Sequence, residues 1–242
     1  MMRRVLALVR ADLRNALRDP LLLVSLALPF ILALAFRLGL PAAGELAARW
    51  LGADLRPHHP FLAAMLLLSS PLTLGTLAGF VMLDERDENV LGYFAVTPLA
   101  KSGSLLHRTL APIALSFLFS LIVVPLAGLP QPRPSVLIPV ALLAAVEATQ
   151  MALFMGAFAD NEVEGLALSK LAGGVMIGPL AGYLAPPPWH WAGGLLPPFW
   201  VTQAYLAGYH SNGRFWLYLG GGALVHALIL GWLWRRFDRR VG

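Results

Sequence analysis

Three places in this chain hold residues whose types and spacing could do chemistry. Glu147 stands in a long apolar run, with Thr149 and Gln150 beside it. A carboxyl group at such a depth is costly in lipid, which makes it a functional hypothesis. It could line a substrate path, favour cationic cargo or carry a proton. The competing reading is a protonated acid hydrogen-bonded across a helix interface. His226, in another apolar run, could be its partner, and a histidine merely packed at an interface stands beside that reading. The second place is the mixed-sign cluster Asp84-Glu85-Arg86-Asp87-Glu88, the densest charge in the chain. The third is His58-His59. That pair could bind a metal, but no third ligand lies nearby in sequence, so a solvated loop is the better reading.

Enzyme motifs are missing. The chain has no G-x-x-x-x-G-K-[ST] phosphate loop, no H-E-x-x-H and no G-x-S-x-G. No cysteine is present, which excludes disulfides, Cys-based metal sites and a Cys nucleophile. No cofactor is expected in this chain.

The elements that must position these groups follow from composition. Of 242 residues, 58% are hydrophobic and 13% charged. A soluble domain is nearer half apolar and a quarter charged, so the chain reads as an all-α polytopic membrane protein. Residues 1–19 form a basic amphipathic helix in the membrane interface: Leu6, Val9, Leu13 and Leu17 share one face, and Arg3, Arg10, Arg14 and Arg18 the other. Six spans follow at 20–40, 60–83, 109–129, 136–158, 165–185 and 215–234. Pro29 should kink the first. Gly75 and Gly79 in the second suit close helix contact, as do Gly174, Gly178 and Gly182 in the fifth. Residues 186–213 are too broken to span and too aromatic for a free loop, so short re-entrant or interfacial helices are expected there.

Charge sets the orientation. Of the 18 Lys and Arg, Arg37, Arg49, Arg56, Arg133 and Arg214 fall on one side of six spans and the other thirteen on the opposite side. The bias places both termini and the 84–108 loop in the cytoplasm of a multi-pass membrane protein. The net charge of +5 is this asymmetry and gives no case for a nucleic-acid partner. The charged cluster runs straight into Val90, Leu91 and Phe94, which fit one helical face and need a membrane or a partner to cover them.

Together these features resemble the membrane-spanning permease of an ABC-2-type transporter over nearly the whole length. The matching stretch reads D-E-R-D-E-N-V-L-G-Y-F-A-V-T-P-L after span two. The family's usual pattern places Gly-Thr or Gly-Ser after the acidic pair, where Asn89-Val90 stands here and Gly92 follows. The wording is most similar to fluoroquinolone and drug export permeases. The resemblance implies a coupling element at Asp84, Glu85, Arg86, Asp87, Glu88, Val90, Leu91 and Phe94 that contacts or positions an ATP-binding cassette ATPase, ended by Thr97-Pro98-Leu99. ATP and Mg would be bound by that partner. It further implies a second permease copy (homo- or heterodimer), membrane lipid around it, a small amphipathic substrate and a place in the inner (plasma) membrane of a prokaryote. Glu147 and Gln150 are the candidate pathway residues, and Pro29, Gly174, Gly178 and Gly182 the candidate dimer seam. A cytochrome c maturation permease, or a membrane enzyme or scaffold without an ATPase, are the alternatives.

Overall fold

A computed structural model of the chain describes residues 20–87 and 100–241. The expected interfacial helix of 1–19, and Glu88, Val90, Leu91, Phe94 and Thr97-Pro98-Leu99, lie outside those residues. A chain this apolar must satisfy its backbone within each segment, and the described residues form helices without strands. Among the described residues, six helical stretches are long and apolar enough to cross a membrane.

Spans one to four are α1 (Pro20–Leu51), α2 (His59–Asp87), α3 (Ala100–Leu126) and α4 (Pro134–Phe158). Span five is two helices, α5 (Glu162–Ala172) and α6 (Ile177–Leu184), joined by a 3₁₀ turn, Gly173–Met176. A short helix, α7 (Pro197–Tyr209), precedes span six, α8 (Phe215–Val241).

The core is built around α4. Val140, Ala141, Ala144, Ala145 and Ala148 are all closed to solvent. Their small side chains let neighbours approach, and α2 does so through its own glycines. A Cβ on Gly75 would lie 2.5 Å from the Ala148 carbonyl, and one on Gly79 would lie 3.0 Å from the Met155 Cβ. The pair anticipated for close contact on span two therefore meets α4, where backbones replace side chains as the packing surface.

Helix α3 starts at Ala100, within the expected 84–108 loop, and ends at Leu126. Three further elements differ from the expected boundaries, each for a local reason. Helix α1 continues past residue 40 to Leu51, through Pro41. The stretch Ala42–Arg49 is rich in helix formers, carries a Glu45–Arg49 pair at 3.9 Å, and ends only at Gly52 with φ of 62°. Span five breaks where two glycines, Gly173 and Gly174, follow one another and the α-helical ladder loosens. Helix α8 runs on through the basic tail to Val241.

Between spans five and six, a 3₁₀ turn at Trp189–Leu195 and α7 fold back onto the bundle. Thirteen residues of helix reach about 20 Å, short of the ~30 Å apolar core. Trp191, Phe199, Trp200 and Tyr218 form one aromatic cluster with centroids 5.5–6.5 Å apart. Trp200 Nε1–H donates to the Gly194 carbonyl at 2.8 Å, and Tyr205 O–H to the Pro130 carbonyl at 2.9 Å. The segment is thereby tied to the 127–133 turn as well as to α8.

Candidate functional site

Glu147 lies about 20 Å along α4 from its start, near mid-span. Its side chain is 8% exposed. The structure brings His226 of α8 to it, with Nε2 3.2 Å from Oε1. The other ring nitrogen, Nδ1, is 2.7 Å from the Gly222 carbonyl. A carbonyl only accepts, so Nδ1 carries a hydrogen and Nε2 is the nitrogen turned to the carboxyl group. One proton then sits between Nε2 and Oε1, whichever of the two holds it. Gln150, one turn along α4, donates from Nε2 to the His226 carbonyl at 2.9 Å. Three polar side chains in two spans thus form one network, which is how buried polar groups avoid their desolvation cost.

Glu147 and Gln150 also line a cavity of about 280 Å³. Its other walls come from Leu72 of α2, Met151 and Phe154 of α4, Leu171 and Val175 of span five, the Leu195–Pro198 corner, and Ile229, Trp232 and Leu233 of α8. His226 does not line it. The pocket is an apolar, partly aromatic chamber with one carboxyl group and one amide. A second, larger hollow of about 770 Å³ lies where the far end of α1 meets the turns at 52–56 and 127–129. There Arg37 donates to the Leu126 carbonyl at 3.0 Å.

At the basic end, the first members of the charged cluster extend α2. Asp84 is exposed and Glu85 half-buried. Arg86 turns inward: Nη2 donates to Ala159 O at 2.6 Å and Nη1 to Gly156 O at 3.3 Å. Arg240, near the end of α8, donates to Ala157 O at 2.6 Å and pairs with Asp160. The last carbonyls of an α-helix have no partner within it and carry partial negative charge. Two guanidinium groups, from α2 and α8, therefore clamp the end of the helix that bears Glu147. Next door, Arg236 lies over the Phe158 ring at 4.8 Å. The acidic connection starts α5: Asn161 Oδ1 accepts from Glu164 N at 3.0 Å, and Glu164 Oε2 from Asp160 N at 2.7 Å.

The candidate seam residues separate. Pro29 is buried, next to Phe30, whose ring meets Phe119 of α3 at 4.7 Å. Gly178 and Gly182 have neighbours inside the chain. A Cβ at Gly178 would lie 2.9 Å from Leu196 Cβ, and one at Gly182 2.7 Å from the Phe199 ring and Gln203. Among the described residues, Gly174 has nothing within 4 Å. His58 binds Tyr183 O–H at 2.6 Å, and among the described residues no three His, Asp or Glu cluster as metal ligands would. Sequence reasoning passed over Arg240 as a capping group and over Gly193, Gly221 and Gly222. Gly193 and Gly221 make room for the rings of Phe199 and Trp200, and Gly222 for Leu143 and the Trp200 Cβ. Their signal was the Gly-Gly pairs beside an aromatic-rich segment.

Comparison with known proteins gives this arrangement a context. Residues 12–234 match a family model described as fluoroquinolones export permease protein Rv2686c-like. Fluoroquinolones export permease protein MT2760 of Mycobacterium tuberculosis (strain CDC 1551 / Oshkosh) is 33% identical over 238 residues, covering 97% of this chain and 94% of the relative. The protein Rv2686c of strain ATCC 25618 / H37Rv, which carries the same description, matches to the same extent. No solved structure matches the chain. With the family model spanning most of the chain and its relatives matching nearly end to end, this six-span helical protein belongs to the Rv2686c-like family of export permeases.

Proposed function

We propose that this chain is the permease subunit of an ABC-2-type exporter that carries fluoroquinolones or similar amphipathic drugs out of the cell, driven by a separate ATPase. The observation that carries the reading is the buried Glu147 network opening on an apolar, aromatic chamber between spans two, four, five and six. A chamber of that make-up suits an amphipathic molecule. The names of the relatives support the cargo. They give no support to a cytochrome c maturation permease.

ATP and Mg bind the partner, and this chain supplies no hydrolytic chemistry. Both termini and the 84–108 segment face the cytoplasm, with the chain in the plasma membrane of a prokaryote. Asp84, Glu85 and the residues that follow meet the ATPase. Arg86 acts differently, by joining the start of the coupling segment to the end of α4, so that a push on the segment reaches the helix that holds Glu147. Transport then requires that ATP binding favour one access state over the other. A second copy completes the pathway. Gly174, with no neighbour among the described residues, and the face of α1 carrying Val24, Ile31 and Leu38, exposed among those residues, support a seam along spans one and five, around Pro29.

The test is a pull-down of the tagged chain from native membranes in mild detergent, with bound proteins assayed for ATP hydrolysis. A stoichiometric ATPase should come down, and should be lost when Glu85 and Glu88 are both changed to Lys. Recovery of the chain alone in several detergents would contradict the proposal.

A further inference from the structure

The chamber beside Glu147 is small, apolar and one-sided in its charge. Among the described residues, its lining holds one carboxyl group and no Lys or Arg. At about 280 Å³ it falls at the lower edge of small-molecule sites, which run from about 300 to 1,000 Å³. It can hold one end of a drug-sized molecule and not the whole. Phe154 and Trp232 provide ring surface, and Trp232 is further fixed by Phe158 at 5.8 Å. Glu147 is held from behind by His226, which itself stays out of the chamber.

We infer that this chamber is a recognition subsite for the protonated aliphatic amine of a planar aromatic substrate, with Glu147 as the group that takes the ammonium. The inference rests on the export reading above and deepens it. A fluoroquinolone carries a carboxylate at one end of its fused rings and, in many members, a basic amine at the other. With no cation in the lining, the chamber rejects the carboxylate end and admits the amine end. Amine entry places a cationic donor on Glu147, and Gln150 offers its amide oxygen beside it. The flanking rings attract a cation on their faces and cover the rest of the apolar end. His226 positions the carboxyl group through Nε2 and is itself oriented by Gly222, so it acts as a positioning residue.

The experiment compares norfloxacin, which has a protonated piperazine, with N-acetylnorfloxacin, which keeps the rings and loses the charge. Binding of each to the purified chain in lipid nanodiscs is read by ligand fluorescence. A hydrogen-bonded ion pair of this kind corresponds to a preference of about ten- to a hundredfold for the charged form. Wild type should show that preference, and Glu147→Gln should abolish it, so that the two ligands bind alike. Val175→Trp, which fills the chamber from span five, should weaken both ligands. A preference that survives Glu147→Gln overturns the subsite and leaves the export reading standing. So does equal binding of the two ligands by wild type. Failure of wild type to bind either would overturn the cargo reading together with the subsite.

Discussion

Replacing Arg86 with Met tests the clamp at the end of α4. The change keeps length and apolar stem and removes the guanidinium. Two carbonyls, Ala159 O at 2.6 Å and Gly156 O at 3.3 Å, lose their donor. A hydrogen bond from a charged group contributes about 1.5–3 kcal/mol, and only the shorter contact is close to ideal length. Partial exposure lets water replace some of this, and the lost charge at the helix C-terminus adds about 0.3–1 kcal/mol. The net is about 2 kcal/mol, or a fall in Tm of roughly 4–8 °C for a chain of this size. Tryptophan fluorescence of the detergent-purified chain reads it directly, since the sequence has seven Trp. Arg235→Met, at an exposed position of the same end, is the control and should shift Tm by less than about 0.5 kcal/mol equivalent. Arg240→Met should be non-additive with Arg86→Met, because both cap neighbouring carbonyls of one helix end. Functionally, Arg86→Met should keep the ATPase bound and lose substrate-stimulated hydrolysis. An unchanged Tm, or loss of the ATPase itself as in the Glu85/Glu88 reversal, would refute the reasoning.

Other consequences are as direct. Gly182→Leu should impair insertion-competent folding or lower Tm by several degrees, because even a Cβ meets Phe199 and Gln203 at 2.7 Å; Gly174→Leu, in open space, should leave monomer stability alone and report on the seam by cross-linking yield. Tyr205→Phe leaves the Pro130 carbonyl without its donor and should cost about 1–3 kcal/mol by the same fluorescence melt, with export rate per folded protein little changed. His226→Asn removes the Nε2 contact to Glu147 and should reduce the apparent affinity for amine-bearing drug in transport assays, while the Asp84→Asn change at the exposed end of α2 should not.

Run length and charge made the spans legible, since in lipid a helix is the form in which an isolated apolar segment satisfies its own backbone. Glu147 was legible for the same reason: one carboxyl group in an apolar run stands out without any structure. That His226 reaches it was only one of two readings, because a sequence does not say at what depth or angle two distant helices face each other. Arg86 shows the limit more plainly. In sequence it is one of five adjacent charges, all with the look of a partner surface. Only the fold shows that its helix phase and the end of α4 coincide, turning it inward. The glycines divide likewise. Small residues every fourth position announce close approach, but not to whom; Gly75 and Gly79 meet α4, Gly178 and Gly182 meet the returning segment, and Gly174 meets nothing among the described residues. Helix ends were least readable where formers such as Ala42–Arg49 ran on beyond the apolar stretch.

The central claim is ATP-driven drug export, and inside-out membrane vesicles from the native host test it most directly. Norfloxacin uptake is followed with and without ATP, in vesicles from cells with the chain and from cells lacking it. ATP-dependent accumulation that disappears with the chain, and returns when wild type is supplied, is the predicted result. Equal accumulation in both vesicle types, or uptake indifferent to ATP, would contradict the account.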